Sequence, residues 1–409
     1  MLLVANRNYR KLFSAAAITN LGDGISALAF PWLATLLTRD PTLIAFVAFA
    51  AHLPWLLFPL PAGVITDRLD RKALMVRADL FRLALTGGIV ALILSVPSFP
   101  PEDGEITFIM VLAGLAFLLG SAEVLRDNAA QTALPSVVDK SELERANGQI
   151  WSVEQIMGSF VGPPLAGFLI AMAVPAPFVV DALTFGVAAL LVASIKMPAR
   201  AGREHRNLWE EVVEGTRWML SHRIILQLGI MLGILNAASI MTVTILVLYS
   251  QEILGLSSLG HGLLLTAGAA GGVIGGLVSP WLAQRLGRRA SLLIAVAIMT
   301  AHFAIIAFTS NVWVVAAALF VEVFAALLWN VVTVSYRQRM IPDDLLGRVN
   351  SIYRFLGWGT MPFGALIGGG LVALAEPELG RALALRVPFF VGGLTTALLG
   401  LYAIFRLRL

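Results

Sequence analysis

The amino-acid sequence predicts an all-α membrane protein in which 12 transmembrane helices form two pseudo-symmetric six-helix bundles with both termini in the cytoplasm. Three observations predict this fold: the composition, the long apolar runs and an internal repeat. Of the 409 residues, 58% are hydrophobic and only 13% are charged, whereas soluble proteins carry about 25% charged residues. The mean hydropathy of +0.85 has the same origin. This composition excludes a water-soluble enzyme, a disordered chain and a nucleic-acid-binding protein.

Twelve apolar stretches in the sequence are long enough to cross a bilayer, since a transmembrane helix needs about 20 such residues. The first stretch is too long for a cleavable signal peptide, contains Asn20 and Asp23, and lacks a small-residue cleavage site. The twelve predicted spans are residues 11–37, 42–65, 73–96, 105–126, 149–173, 176–195, 223–249, 259–283, 290–309, 312–336, 347–374 and 387–406.

The distribution of Lys and Arg predicts the orientation. With both termini inside, the inner segments and adjoining helix ends hold 26 of the 29 basic residues, and the outer loops hold only Arg39, Arg381 and Arg386. Basic residues concentrate on the cytoplasmic side of membrane proteins. The net charge of +4 is therefore explained by orientation, and we expect a multi-pass protein of the bacterial inner membrane.

A polar segment divides the chain into an N-terminal bundle (1–195), a cytoplasmic linker (196–222) and a C-terminal bundle (223–409). Within the linker, apolar residues recur at helical spacing, which predicts an amphipathic helix on the inner membrane surface. A solvated linker helix is an equally good interpretation. The recurring residues are Leu208, Val212, Gly215 and Met219.

The two halves of the chain resemble each other at three places. The run from Asp67 to Lys72 matches the run from Gln284 to Arg289, which lies 217 residues later, and Asn20 in the first span corresponds to Asn236 in the seventh. A proline followed by Arg-Ala-Asn or Arg-Val-Asn occurs after the fourth and the tenth spans. Repeats of this kind typically enclose a binding site near the bilayer midplane and rock around it during transport.

Two motifs relate the sequence to a known family. The run from Gly63 to Lys72 follows the second span, and a Gly- and Pro-rich run from Gly158 to Gly167 lies on the fifth. With these motifs the chain resembles the major facilitator superfamily over essentially its full length. The first run is similar to motif A, with Asp70 in place of the second glycine, and the second run is similar to motif C of the antiporter branch. The paired proline loops resemble those of drug, macrolide and siderophore exporters, and the Tap-type multidrug efflux pumps of mycobacteria are the most similar group.

In the family that the chain resembles, the motif A aspartate pairs across the bundle in the outward-open state. The resemblance therefore implies a gate in which Asp67 contacts Arg126. The alternative is that the motif A charges only follow the bias of basic residues toward the cytoplasm. The predicted gate residues are Gly63, Asp67, Arg68, Arg71, Lys72 and Arg126.

Motif C in antiporters seals the interface between the two halves. Its glycines allow a neighbouring helix to approach closely, and adjacent prolines bend a helix by removing hydrogen bonds. Ordinary packing of small residues would explain the glycines but not the double proline. The predicted motif C residues are Gly158, Gly162, Pro163, Pro164 and Gly167.

Asp23 is the strongest candidate for a functional charge within the membrane. It lies in the middle of the first span between Gly22 and Gly24, and no basic residue on that span is close enough to pair with it. An ionised carboxylate at membrane depth is costly, and desolvation favours its neutral form. We therefore predict a reversible proton carrier without an ionic partner. The alternative is a structural carboxylate that is hydrogen-bonded to an unwound, glycine-flanked backbone.

Other acids are also predicted to lie inside the membrane. Glu322, near the middle of the tenth span, is a candidate for a second proton carrier or for a group that attracts a cationic substrate. Glu154 and Asp181 complete the candidate proton-coupling set, although a structural or gate hydrogen bond is the simpler role for each. Ion pairs within single helices are expected between Asp79 and Arg82 and between Glu123 and Arg126.

Polar and aromatic residues of the presumed inner spans form the predicted substrate site. A broad apolar cavity with few polar anchors favours varied amphipathic molecules over sugars. Most aromatic side chains in a transporter face lipid or neighbouring helices, so each is only a candidate. The predicted substrate-binding residues are Asn20, Trp32, Trp55, Phe58, Phe185, Asn236 and Trp358.

These features predict a proton-coupled antiporter that exports amphipathic, often cationic compounds by alternating access. The sequence contains no Gly-Lys dipeptide and therefore no P-loop, so the proton motive force rather than a cofactor is expected to drive transport. The absence of cysteine excludes a thiolate metal site and a cysteine nucleophile. The expected partners are small amphipathic molecules, protons and membrane lipids, without nucleic acid, and the protein is expected to be a monomer.

Three other interpretations remain open at this point. The first is a dedicated siderophore or lipid-intermediate exporter of the same fold. The second is a receptor or scaffold, which would leave the intramembrane acids and motif C without a use. The third, a membrane enzyme, is weaker because the five histidines are scattered and form no metal-binding pattern.

Overall fold

The computed structural model describes residues 2–197, 208–342 and 345–407, without the side chains of Leu60, Val64, Asp67, Lys140 and residues 208–211. In this part of the chain the regular elements are helices. The N-terminal half contains α1 (Leu2–Ala5), α2 (Arg7–Leu37), α3 (Pro41–Leu57), α4 (Pro59–Arg68), α5 (Arg71–Ser95), α6 (Glu105–Ala133), 3-10 turns at Leu134–Ser136 and Lys140–Glu142, α7 (Leu143–Gln155), a π-helical turn (Ile156–Val161), α8 (Gly162–Met172) and α9 (Ala176–Ala193). The C-terminal half contains α10 (Leu208–Ser221), α11 (Arg223–Glu252), α12 (Ser258–Leu286), α13 (Arg288–Phe308), α14 (Val312–Met340), α15 (Leu346–Trp358), α16 (Met361–Leu379), α17 (Arg381–Ala384) and α18 (Val387–Arg406).

Eleven of the predicted spans are present as helices that are long and apolar enough to cross a membrane, counted over the described residues. The second predicted span differs, because it divides at Phe58 into α3 and α4. Pro59 and Pro61 lack the backbone N–H groups that would continue the helix, and the 17-residue α3 is the apolar part. A helical membrane protein is thus confirmed, while the twelfth crossing stays a prediction.

The described residues divide into two compact units. The first unit comprises those within 1–39, 50–203 and 256–266, and the second comprises those within 40–49, 204–255 and 267–409. These units differ from the predicted halves by two exchanges: the start of α3 belongs to the second unit and the start of α12 to the first.

The predicted linker helix is present as α10 and packs on protein within the second unit. A methyl group placed on Gly215 would lie 2.8 Å from Cδ1 of Ile352. Met219 is buried in the core of this unit, and Glu214 forms an ion pair with Arg348 at the start of α15. Part of the apolar face that was expected to contact the membrane therefore contacts α15.

The internal repeat extends to the way in which helices pack. In the first unit, a methyl group on Gly24 of α2 would lie 2.2 Å from the carbonyl oxygen of Gly158. In the second unit, a methyl group on Gly364 of α16 would lie 2.3 Å from the carbonyl oxygen of Ala237 in α11. In both units the first long helix thus touches the fifth predicted helix of its own half, backbone to backbone, which only glycine permits.

Candidate functional site

Five charged residues form an alternating chain inside the first unit. Asp23 on α2 forms an ion pair with Arg82 on α5, and Nη1 of Arg82 lies 4.0 Å from Oδ1 of Asp79. Nε of Arg126 on α6 lies 3.4 Å from the same oxygen of Asp79, and its Nη1 lies 3.7 Å from Oδ1 of Asp127. Negative and positive charges therefore alternate from Asp23 to Asp127.

The inner and outer members of this charge chain differ in exposure. The side chains of Asp79, Arg82 and Arg126 are 0%, 3% and 3% exposed, whereas those of Asp23 and Asp127 are 24% and 38% exposed. Buried charges persist only when they are paired, so the three inner residues depend on one another. The two outer acids remain accessible to protons or to a cation.

The geometry corrects three sequence-based expectations and leaves a fourth untested. Asp23 is not unpaired, because Arg82 reaches it from a different helix. Asp79 and Arg82 do not simply neutralise each other, since Asp79 lies closer to Arg126. Arg126 is 2% exposed, and its ionic contacts are with Asp79 and Asp127, whereas Glu123 was expected as its neighbour on α6. Its predicted gate partner, the side chain of Asp67, lies outside the described residues.

Phe185 packs against Arg82, the arginine that pairs with Asp23. The guanidinium of Arg82 lies 3.9 Å from the centre of the Phe185 ring, which is a cation–π contact. The ring itself is only 1% exposed. Phe185 is therefore a packing partner of the charge chain, and the expectation that it lines the substrate cavity is wrong for this structure.

Three further acids lie within electrostatic range of the charge chain. Asp181 on α9 accepts a hydrogen bond of 2.6 Å from Oγ of Ser26, and it interacts with Asp23 and Arg82. Glu123 and Glu154 interact with members of the same chain. The described part of this cluster holds six acids and two arginines, and these acids are Asp23, Asp79, Glu123, Asp127, Glu154 and Asp181.

Gly22 leaves room for the hydrogen-bonded acid on α9. A methyl group at this position would lie 2.3 Å from Oδ1 of Asp181 and 2.3 Å from Oγ1 of Thr184. Gly24, on the other side of Asp23, provides the contact with Gly158 described above. The two glycines that flank Asp23 thus serve packing on two different helices, and α2 continues unbroken through them.

Glu322 lies in the second unit, on the same face of α14 as the buried residues Ala318, Ala325 and Trp329. Among the residues that the structure describes, none forms a hydrogen bond or ion pair with it. The prediction of an unpaired acid within the membrane therefore fits Glu322 better than Asp23. Whether it carries a proton or attracts a cation stays a prediction.

The two repeat-related asparagines have different surroundings. Nδ2 of Asn20 donates to the carbonyl oxygen of Ala16 within α2, at 2.9 Å. Nδ2 of Asn236 donates to the carbonyl oxygen of Gly357 on α15, at 2.8 Å. In both cases the amide oxygen is the group left to accept from a ligand.

The remaining aromatic candidates are scattered over both units. Trp32 is 8% exposed, and its ring lies 5.9 Å from that of His261. Phe58 lies 6.0 Å from Phe117. Trp55 and Trp358 are half-buried, like Phe58, so these three stay candidates for substrate contact.

Asp70, which stands in place of the second glycine of motif A, has a structural role at the start of α5. Its carboxylate accepts a hydrogen bond of 2.7 Å from the backbone N–H of Ala73 and so caps α5. Arg71 donates to the carbonyl oxygen of Thr132 at the end of α6, while Arg68 is exposed and Lys72 is half-buried. Motif A therefore joins α5 and α6, and the gate role of Asp67 stays a prediction.

Motif C contains a break in the regular helix. The π-helical turn Ile156–Val161 comes directly before Gly162 and the double proline. A methyl group on Gly162 would lie 2.6 Å from the carbonyl carbon of Gly24, and one on Gly167 would lie 2.3 Å from the carbonyl oxygen of Ser258. The glycines therefore allow two close helix contacts, as motif C predicted, and the prolines coincide with the irregular turn.

Repeat-related helical units with charges inside apolar spans define a multi-pass membrane transporter. The chain belongs to the transmembrane secretion effector family of the major facilitator superfamily, whose family model matches residues 3–401. It is therefore a transporter of small molecules in the bacterial inner membrane and not an enzyme.

Two relatives that match this chain over nearly its whole length are named as an efflux pump and an exporter. The multidrug efflux pump Tap of Mycobacterium tuberculosis (strain H37Rv) is 28% identical, over 93% of this chain and 90% of that protein. The enterobactin exporter EntS of Citrobacter koseri is 26% identical, over 98% of this chain and 93% of that protein. The predicted resemblance to the Tap-type group is confirmed, and the coarse function is that of a membrane exporter.

Solved structures show the same fold. A bacterial homologue of the iron transporter ferroportin in the inward-facing state has a TM-score of 0.75 at 18% identity. The matched region covers 97% of this chain and 98% of that chain. The nucleoside transporter NupG has a TM-score of 0.76 at 11% identity, with 98% and 100% coverage. At these identities the likeness concerns the major facilitator fold alone.

Proposed function

We propose that the protein is a proton-coupled antiporter that exports amphipathic, often cationic small molecules, with 12 membrane crossings and both termini in the cytoplasm. The observation that supports it most strongly is the alternating chain of five charges, which ends in the two accessible acids Asp23 and Asp127. A relative named as a multidrug efflux pump supports drug-like cargo. Protons and membrane lipids are its other proposed partners, and it acts as a monomer.

Proton binding at one end of the charge chain affects the whole chain. When Asp23 binds a proton, Arg82 loses its negative neighbour on α2 and interacts more strongly with Asp79. Asp79 then attracts Arg126 less strongly, and this changes the interaction between Arg126 and Asp127. Such coupling is effective because the inner residues are buried, and charge interactions weaken less with distance in a low dielectric than in water.

Substrate and proton compete in this mechanism. A cationic substrate interacts with ionised Asp23, while the amide of Asn20 contacts its polar groups and the half-buried aromatic rings of Trp55 and Phe58 contact its apolar body. A proton arriving from outside neutralises Asp23 and weakens the attraction, so the cargo is released. Exchange of one proton for one molecule of cargo then follows from competition for the same carboxylate.

The proton motive force is sufficient for concentrative export. One elementary charge that crosses the membrane gains about 2.3 kcal/mol per 100 mV, and each pH unit adds about 1.4 kcal/mol. Both contributions drive export of a neutral molecule, whereas exchange of one proton for one monovalent cation moves no net charge and is driven by the pH difference alone. Since about 1.4 kcal/mol corresponds to a tenfold concentration ratio, one pH unit supports about a tenfold gradient of such a cation. No cofactor is required in this scheme.

The experiment that tests the proposal measures coupled flux in proteoliposomes. The purified protein is reconstituted with a pH-sensitive dye inside, and a fluorescent amphipathic cation such as ethidium is added. Wild-type protein is expected to accumulate ethidium only with a pH gradient of the correct direction, and to move protons only when ethidium is present. The variant D23N is expected to insert normally and to lose both responses.

Asp103 provides the matched control, because it is an exposed acid in the loop before α6 and lies outside the charge chain. D103N is expected to transport like the wild type. Ethidium accumulation that is independent of both the pH gradient and the membrane voltage would refute proton coupling. Normal coupling in D23N would show that Asp23 is not part of the mechanism.

A second candidate function is export of a siderophore. Two relatives support it by name: the enterobactin exporter at 26% identity and a staphyloferrin A transporter at 24% identity over 67% of this chain. Deletion of the gene should then reduce siderophore in the medium under iron limitation, whereas a drug exporter leaves siderophore secretion unchanged and lowers resistance.

A further inference from the structure

A basic groove lies at one end of the second unit, where α12 is followed by α13. Its volume is about 660 Å³, and Arg288 and Arg289 are among its lining residues. Arg285 lies just before the groove, with its guanidinium 5.5 Å from the centre of the ring of Trp281, which is 56% exposed. The orientation predicted from the basic residues places this end at the cytoplasmic face. The transport mechanism makes no use of this groove.

The arginines of this groove have no acidic partner in the described part of the chain. The sequence contains no Asp or Glu between Glu252 and Glu322, a range that includes both helices that form the groove. Arg288 lies 5.7 Å from the centre of the Tyr336 ring, and Arg289 donates to the carbonyl oxygen of Ile404 at 2.7 Å. Neither contact neutralises the positive charge, so the groove attracts an anion.

The repeat-related loop of the first unit shows which groups the groove lacks. In that loop, Asp70 accepts a hydrogen bond from the N–H of Ala73 and caps α5. In the second unit, Gly287 takes the position of Asp70, 217 residues later, and no side chain caps α13. Gln284 likewise takes the position of Asp67. The second copy of the loop thus keeps its basic residues and has lost both acids.

We propose that this groove binds the phosphate group of an anionic phospholipid. The phosphate forms charge-assisted hydrogen bonds with Arg285 and Arg288 and takes the place that the carboxylate of Asp70 occupies in the first copy. Trp281 favours a lipid over a soluble phosphate, because exposed tryptophans of membrane proteins concentrate at the headgroup level. Basic pockets on the cytoplasmic side of membrane proteins bind anionic headgroups.

The test measures lipid retention by the full-length protein in neutral detergent, using native mass spectrometry. Phosphatidylglycerol and phosphatidylcholine with identical acyl chains are supplied in equal amounts. We expect phosphatidylglycerol to be retained about tenfold more, because the choline ammonium of phosphatidylcholine neutralises its own phosphate, whereas phosphatidylglycerol keeps a net negative charge that the arginines attract. Retention is scored only for the fraction that elutes as a folded species in gel filtration, so misfolded variants do not count.

Variants of the groove separate this proposal from general attraction to the basic face. R288Q and Q284D are both expected to abolish the preference for phosphatidylglycerol. R288Q removes a positive charge from the groove, and Q284D restores the acid that the first copy of the loop has at this position. The matched controls Q284N and R77Q, the latter at an exposed arginine of α5 in the first unit, are expected to keep it. An equal retention of both lipids, or an unchanged preference in R288Q, would overturn the proposal. Displacement of phosphatidylglycerol by millimolar inorganic phosphate would also overturn it, in favour of a soluble anion.

Discussion

Arg82 is the residue on which the charge chain depends most. It is 3% exposed, and it is the side chain that connects Asp23 on α2 with Asp79 on α5. Both oxygens of Asp79 are buried without a hydrogen bond, so this carboxylate relies on the nearby arginines for stabilisation. Removal of one partner from a buried ion pair leaves an uncompensated charge, which costs about 3–5 kcal/mol.

The first prediction concerns the stability of this arrangement. R82Q is expected to destabilise the protein by about 3–5 kcal/mol, because it leaves Asp79 with Arg126 alone and Asp23 with no base. D23N is expected to cost much less, since Asp23 is partly exposed and an amide can still accept a hydrogen bond from Arg82. Thermal unfolding in detergent, followed by tryptophan fluorescence, measures both. A larger loss in D23N than in R82Q would contradict this ranking.

Sequence patterns identified most members of the charge chain but not its connectivity. Asp23 stands out because it is a charge at membrane depth, and Asp79 and Arg82 because they are three residues apart on one helix. The contact between Asp23 and Arg82 joins residues 59 positions apart, and helical periodicity carries no information at that separation. Asp127 had no distinguishing pattern, since it follows Arg126 near the end of a predicted span.

At the level of elements, glycines determine how closely α2 approaches the motif C helix. The second prediction is that G24A prevents normal folding or lowers thermal stability strongly, because the added methyl would lie 2.2 Å from the carbonyl oxygen of Gly158. The matched control is G114A in α6, where no atom lies within 4 Å of the added methyl. G114A is expected to be neutral or slightly stabilising, since alanine favours helix over glycine by about 1 kcal/mol. Expression and monodispersity in gel filtration provide the comparison, and equal behaviour of the two variants would refute it.

The third prediction concerns the cap at the start of α5. D70A is expected to lower stability by about 1 kcal/mol, because Asp70 accepts the backbone hydrogen bond of Ala73. D70N retains an accepting oxygen without the charge, so it should unfold near the wild-type temperature. If D70N were as unstable as D70A, the charge of Asp70 rather than its capping hydrogen bond would be responsible.

Hydrophobic runs predicted the positions of the helices well, but not their interruptions. The apolar runs that include the break at Phe58 and the π-helical turn Ile156–Val161 read as continuous spans in the sequence. Prolines near each break were visible, yet a proline within a membrane helix kinks it or interrupts it according to its neighbours. The packing of α10 on α15 was equally inaccessible, because an amphipathic face does not reveal whether it covers protein or lipid.

At the scale of the whole molecule, the two units share a fold but differ in charge. The first unit contains six clustered acids with two arginines. Within the predicted membrane spans of the second unit, the acid among the described residues is Glu322. Duplication therefore preserved the helix packing while the ionisable groups diverged. From this difference we infer that the two units have different tasks: proton coupling at Asp23 in the first unit, and an additional contact with a cationic substrate at Glu322 in the second.

The last prediction separates these two tasks in proteoliposomes by comparing a cationic and a neutral amphipathic dye of similar size. E322Q is expected to reduce transport of the cation about tenfold or more, because losing one charge–charge contact in a low dielectric costs more than about 1.4 kcal/mol of binding free energy. The same variant is expected to leave transport of the neutral dye, and the proton exchange that accompanies it, unchanged. D23N is expected to eliminate proton-driven accumulation of both dyes. If E322Q also abolished proton exchange with the neutral dye, Glu322 would be a proton carrier and the division of tasks between the units would be wrong.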